Sequence, residues 1–262
     1  MKKLLILTLV LLIVLPFAGC AKKSGSDVIV FGTSADYPPF EFHILDDNGK
    51  DKVVGLDVAL AYQIAEDMGK ELVITEMNFD NLLALMDKGD CDFVIAAMEK
   101  SDERLESSSA SDPYYTDLPA MILVKKENLA QYTSLESFSG KRVGAQTGTT
   151  KADIIRDDMP GAQADLMQSV IDLVNNLVYN KCDALVLDGA VAMQYAQSDD
   201  SLAIVEAGQL GDAFPYCVWV AKDDPKGLLD SINKTIAKVL EDGSMDVFID
   251  EADELSSRAL DS

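Results

Sequence analysis

LLALMDKGDCDFVIAA at residues 82–97 lies without a gap on LVNNLVYNKCDALVLD at residues 173–188, 91 residues further along. Helix, turn, Cys-Asp and apolar strand recur in the same order in both stretches. Any helix–turn–strand unit shares this outline, so the match leaves open whether it marks an internal repeat. A repeat would mean two similar α/β lobes facing each other. Ala97 and Asp188 would then hold equivalent places just past the carboxyl ends of their strands, where open α/β sheets bind ligands.

The same rhythm extends outward. Residues 28–32 are a short β-rich run, and 56–68 carry Val58, Ala61, Ala65 and Met68 at helical spacing, closed by Gly69. A strand is expected over 72–75, a helix over 81–88 stopped by Gly89, and a strand over 92–96. The pattern then resets, with strands over 120–124 and 142–145 and helices over 149–157, 169–178 and 189–196. A strand over 184–187 separates the last two helices. A strand over 216–221 follows, then an amphipathic helix over 226–241 through Leu229, Ile232, Ile236 and Val239, and a final helix near 245–255. The fold class is α/β, with open sheets covered by helices.

The amino terminus reads as an export signal. Lys2 and Lys3 give a positive start, residues 4–14 are an uninterrupted apolar or hydroxyl run, and Pro16-Phe17-Ala18-Gly19 leads to Cys20. The run falls short of the roughly 20 apolar residues a membrane span needs. A core helix would alternate with polar positions, and this run does not. Ala18-Gly19 before a cysteine resembles the lipobox of bacterial lipoproteins, whose cysteine is acylated on sulfur and becomes the new N-terminus. Phe17 departs from the Leu usual at its place. Residues 1–19 are thus expected to be a signal peptide, and 20–26 a polar tether lipidated at Cys20. No later apolar run is long enough to cross a bilayer, so the expected location is extracytoplasmic, anchored at the cell surface or in the periplasm.

The 262 residues carry a net charge of −23. Such a balance repels nucleic acid and anionic headgroups and keeps the domain soluble. Past the tether, Cys91, Cys182 and Cys217 are odd in number, widely spaced and without CxxC or Cys/His patterning, and His43 is the lone histidine. At least one thiol stays unpaired, buried structural cysteines are expected, and no metal or cofactor is called for.

Arg104 follows the strand ending at Ala96 by a short polar loop. Its guanidinium fork grips a carboxylate with two hydrogen bonds and keeps its charge, although an arginine in an acidic loop also reads as a surface ion pair with Asp102 or Glu106. Thr147-Gly148-Thr149-Thr150 opens a helix and exposes backbone N–H groups to an anion. It lacks the spacing of a phosphate loop, and Thr149 alternatively serves as an ordinary N-cap. Asp188, before Gly189, either caps a helix or receives an ammonium. Tyr37 and Phe79 are either lids on the core or walls around a ligand side chain. Together these residues form the complement of a zwitterionic α-amino acid.

GTSADYPPFEF (32–42), VVGLDVALAYQIAEDMG (53–69), MNFDNLLALMDKGDCDFVIAAM (77–98), DER (102–104), SDPYY (111–115), GKRVGAQTGTT (140–150) and CDALVLD (182–188) resemble, in order, the polar amino acid-binding proteins of ABC importers, solute-binding protein family 3. The resemblance covers residues 27–254 and implies a two-lobed, periplasmic-binding-protein-like fold of type II. Two open sheets would be joined by a two-strand hinge near Tyr114-Tyr115 and Phe214-Tyr216. Residues 27–114 with 216–262 would form lobe 1 and 115–215 lobe 2.

Carried over by position, the resemblance places Arg104 on the ligand carboxylate, helped by backbone N–H groups of Glu99 and Thr150. Asp188 receives the ammonium, with the Ala97 carbonyl opposite. Tyr37 and Phe79 flank the side chain, and Ser34 and Gln146 line its far end. Two departures matter. Position 99 is usually Ser or Thr, so Glu99 turns away, pairs with Arg104 or Lys100, or selects a cationic ligand. Position 34 is often Asp in relatives that grip a polar or basic side chain, and Ser34 lacks that charge.

The expected function is capture of a free amino acid, polar or cationic, by a monomer whose cleft closes and delivers it to an ABC permease. Ligand would dock on Arg104 before lobe 2 brings Asp188 and Thr150 across. A dehydratase acting on a cyclic amino acid shares this architecture, but no nucleophile and base stand out here. A sensory ligand-binding domain is disfavoured by the missing second span, and a ligand-free scaffold by the clustered zwitterion chemistry.

Overall fold

The structure, a computed structural model, describes residues 27–206 and 210–259. The expected signal peptide, Cys20 and the tether lie outside the described residues. In chain order, β1 (Val28–Thr33), β2 (Asp36–Tyr37), β3 (Glu41–Leu45) and β4 (Asp51–Val54) lead to α1 (Leu56–Asp67). Then come β5 (Glu71–Glu76), α2 (Leu82–Lys88), β6 (Phe93–Val94), α3 (Asp102–Ser107) and β7 (Ser108–Thr116). The second lobe holds β8 (Met121–Lys125), β9 (Arg142–Gln146), α4 (Thr150–Asp158), β10 (Gln163–Met167), α5 (Val170–Val178), β11 (Ala184–Leu187), α6 (Gly189–Ser198) and β12 (Leu202–Ile204). The chain returns as β13 (Pro215–Ala221), followed by α7 (Leu229–Glu241) and α8 (Ser244–Ala259).

Two five-stranded sheets result, ordered β5-β1-β6-β13-β7 and β10-β9-β11-β8-β12. The orders correspond place by place. In each, three parallel strands meet a fourth that runs antiparallel. The two stretches that align in sequence occupy the same place in both sheets. Phe31 and Gly32 pair with Phe93 and Val94, as Val143 and Gly144 pair with Ala184 and Leu185. The glycines have a steric reason: a Cβ on Gly32 would lie 2.7 Å from Cys91 Sγ, and one on Gly144 would lie 2.6 Å from Leu185 Cδ2 and 3.4 Å from Cys182 Sγ. Cys91, Cys182 and Cys217 are all free and buried.

The helices form where their apolar faces meet these sheets. In α7, Ile232, Ile236 and Val239 share one face and are buried in the core. This helix starts at Leu229 rather than at the expected Lys226. The Asp224 carboxylate accepts from the Leu228 and Leu229 N–H groups at 2.8 and 3.0 Å and caps the chain there. The strand expected over 92–96 is ladder-paired only at Phe93–Val94, because the backbone turns beyond it and Ala97 takes φ 44°. The small antiparallel sheet β2-β3-β4 was not expected; Phe42, Ile44 and Val54 on it pack against Leu255 and Ala259 of α8.

Two buried carboxylates brace the region between the lobes. Asp57, in α1, accepts from the Ala97 N–H at 2.6 Å and the Tyr114 hydroxyl at 2.7 Å. Asp117, where the chain first crosses, accepts from the Leu118 N–H at 2.6 Å, the Ala190 N–H at 3.2 Å and the Tyr216 hydroxyl at 3.1 Å. Burial pushes both from the ordinary 3.8 up to about 6, despite those hydrogen bonds. A carboxyl whose folded pKa is raised stabilises the fold fully below its unfolded value and loses that contribution as pH rises through the folded one. The thermal midpoint is therefore expected to fall as pH is raised from 5 to 7, and to fall less steeply in Asp117→Asn. A slope identical in wild type and variant would remove Asp117 as its source.

Candidate functional site

The residues singled out in the sequence converge between the lobes. Tyr37, Phe79, Ala97, Glu99, Arg104, Gln146 and Asp188 line one enclosed space. Thr150 reaches it through its hydroxyl, which donates to Glu99 Oε2. Ser34 stands behind Gln146: its hydroxyl donates at 3.4 Å to Asp36 Oδ1, the oxygen that also takes Gln146 Nε2 at 3.4 Å. The space is closed down to about 10 Å³, room for one water. Outside it, Phe79, Arg104, Thr150 and Leu166 border a groove of about 490 Å³.

Arg104 is held in α3, whose first turn is capped by Ser101 Oγ accepting from the Arg104 N–H at 3.3 Å. Its guanidinium donates to the Glu99 carbonyl at 2.6 Å and to the Gly148 carbonyl of the other lobe at 3.2 Å. Its Cζ lies 5.5 Å from the Phe79 ring centroid, a cation–π distance. Neither Asp102 nor Glu106 takes it as a surface pair. Burial lowers its pKa, against the opposing pull of the Glu99 and Asp188 charges.

At the start of α4, the Thr149 side chain makes no cap. Its hydroxyl donates back to the Gln146 carbonyl at 2.7 Å, so the ordinary N-cap reading fails. Asp188 stands at the N-cap position of α6 without capping it. Its Oδ2 instead accepts from the Tyr37 hydroxyl at 2.5 Å. The Tyr37 oxygen in turn accepts from the Asp188 N–H at 3.2 Å.

Three residues escaped the sequence reading. Lys151 is buried beside the cleft, its Nζ 2.9 Å from Glu99 Oε1 and in contact with Asp188 Oδ1. Glu99 therefore directs its carboxylate neither at Arg104 nor at Lys100. The signal was an unbalanced acid at position 99 that needed a cation, and a lysine in the first turn of a helix, where the dipole disfavours one. Asp36 takes the Val170 N–H of α5 at 2.7 Å from across the cleft, and burial pushes it up to about 6. Asp80 accepts from Gln168 Nε2 at 3.0 Å, a further link between the lobes.

The family model of the bacterial extracellular solute-binding proteins, family 3, matches residues 29–251. The arginine-binding extracellular protein ArtP of Bacillus subtilis is 30% identical over 258 residues, covering 94% of this chain and 96% of that protein. A probable histidine-binding protein of Campylobacter jejuni is 29% identical over 222 residues, covering 83% of this chain and 82% of its own length. Among solved structures, the amino acid ABC transporter substrate-binding protein AbpA of Streptococcus pneumoniae, bound to L-arginine, superposes with a TM-score of 0.83 at 32% identity, covering 88% of this chain and 96% of its own.

Gly148 bears directly on closure. It takes φ 81°, and a Cβ there would lie 2.9 Å from Asp80 Cβ and 3.0 Å from Asp80 Cα on the opposite lobe. Gly148→Ala is expected to hold the lobes apart because the added methyl meets Asp80 only in the closed cleft, while the positive φ costs the fold itself about 1–3 kcal/mol. Small-angle scattering should show a larger radius of gyration than wild type, and an unchanged profile would exclude this steric role.

Proposed function

The chain belongs to the bacterial extracellular solute-binding proteins of family 3, and from that membership we propose that it captures a free amino acid between its lobes and delivers it to an ABC importer. One observation carries the reading: the closed space has a guanidinium, Arg104, and a carboxylate, Asp188, on its wall. Arg104 is bonded only to backbone carbonyls among the described residues, so its fork suits an incoming carboxylate. The uncapped start of α4 adds N–H groups of the same sense. Asp188, turned away from its helix, suits an ammonium. Phe79 and Tyr37 supply the walls.

The side-chain end favours polar or cationic ligands. Ser34 lacks a carboxylate, but Asp36 stands against both Ser34 and Gln146 and supplies one. With a pKa of about 6 it is anionic at neutral pH, and a cationic side chain would stabilise that form. Relatives named for arginine and histidine are consistent with this class. These relatives are binding proteins rather than enzymes, which sets the dehydratase alternative aside.

Family membership places the chain outside the cytoplasm, and no helix among the described residues is long and apolar enough to cross a membrane. Anchoring at Cys20 is part of the proposal and rests on the lipobox-like Ala18-Gly19-Cys20. Cys20→Ala is expected to abolish palmitate labelling and release the protein from the membrane fraction; retained labelling would refute the site.

A thermal-shift screen of the common amino acids is expected to give at least one stabilising ligand. Arg104→Ala should bind that ligand more weakly by about 3–5 kcal/mol, the cost of leaving its buried carboxylate unpaired, while its circular dichroism stays native. Wild-type affinity in Arg104→Ala would overturn the assignment.

A further inference from the structure

Lys151 is a charge in the cleft that the amino-acid reading does not use. It is the second residue of α4 and is 4% exposed. Its Nζ lies 2.9 Å from Glu99 Oε1 of the opposite lobe and touches Asp188 Oδ1 of its own. The remaining oxygen of each carboxylate is also taken: Thr150 Oγ1 donates to Glu99 Oε2, and the Tyr37 hydroxyl donates to Asp188 Oδ2 at 2.5 Å. All four carboxylate oxygens thus have donors from the chain itself. The guanidinium of Arg104, by contrast, binds only carbonyls. The acceptor half of a zwitterion site is filled from within, and the donor half is not.

We propose that Lys151 is a tethered ammonium seated in the subsite of the ligand's own ammonium, so that an amino acid binds by exchanging its ammonium for that of Lys151 on Asp188. The proposal rests on Asp188 being the ammonium acceptor, as argued above. The local charges permit the exchange. Arg104 and Lys151 balance Glu99 and Asp188, and a zwitterion adds no net charge. Lys151, displaced from Asp188, keeps Glu99, so no buried charge is left alone. Burial by itself pulls the Lys151 pKa down, but the Asp188 and Glu99 charges outweigh it and the net shift is upward, so the competitor stays charged. Because Glu99 and Lys151 belong to opposite lobes, the same contact draws the lobes together before ligand arrives. Observed affinity is then a difference between two ammonium groups competing for one carboxylate.

The test uses wild type, Lys151→Gln, and the charge-balanced double variant Glu99→Gln/Lys151→Gln, which guards against a single variant that folds poorly. Small-angle scattering without amino acid is expected to show both variants more open than wild type. Calorimetry with the best ligand from the screen is expected to show at least tenfold tighter binding in the double variant, where Asp188 is free of its competitor. Equal or weaker binding there, or unchanged compactness in both variants, overturns the exchange and leaves the proposed function standing. A wild-type protein that binds no amino acid overturns the proposed function and the exchange with it.

Discussion

A charge taken out of water must meet an opposite charge or hydrogen bonds within a few ångströms, and the cleft between the lobes holds four such charges. Arg104 and Glu99 belong to one lobe and Lys151 and Asp188 to the other. Lys151 keeps Asp188 and Arg104 keeps the Glu99 carbonyl within their own lobes, and each of the four gains a further partner when the lobes meet. Glu99 finds Lys151 across the gap, Tyr37 finds Asp188, and Arg104 reaches the Gly148 carbonyl. Opening the cleft separates all three pairs at once. Under the proposed function, closure would exchange water for these fixed partners together, a step that a ligand's two charged ends could bias.

The places of these charges follow from the paired sheets. β6 and β11 hold the third position in their orders, and each delivers its first residues beyond the strand to the same gap. Past β6 the backbone turns through Ala97, tied down by Asp57, and runs on to Glu99 and the short helix bearing Arg104. Past β11 it enters α6 directly, with Asp188 at the junction. Similar units thus end differently, one presenting mainly a cation and the other an anion. Under the proposed function, that asymmetry would give a zwitterion one preferred orientation.

Much of this was legible in the sequence because it is local. The helix-to-strand rhythm, the Gly stops and the turn after each central strand depend on neighbours a few residues apart. Strands that contradict local preference were not legible. β7 contains Ser108, Asp112 and Pro113 and survives because it is an edge strand, where a proline's missing N–H is tolerated. β10 is half exposed and built from Gln163, Ala164 and Asp165, so it shows no apolar run. Among site residues, Arg104, Thr150 and Asp188 were marked by their positions at element boundaries. Lys151 sits at such a boundary too, in the first turn of α4, but its partners lie 52 residues before and 37 after it, and one-dimensional spacing does not name them.

Under the proposed function, what would distinguish one amino acid from another in this cleft lies at the end remote from Arg104 and Asp188. The carboxylate and the ammonium are common to every candidate, and in the proposed exchange one ammonium replaces another with no change in net charge, so neither end would discriminate strongly. Asp36 does differ in what it offers. It is held by the Val170 N–H, the Ser34 hydroxyl and the Gln146 amide, a set of neutral donors that stabilises its anion but supplies no cation. An aliphatic side chain would leave that anion as it stands. A side chain carrying donors or a positive charge would offset the burial that raises its pKa. Under the proposed function, selectivity would then be concentrated at Asp36, to which no described residue supplies a cation.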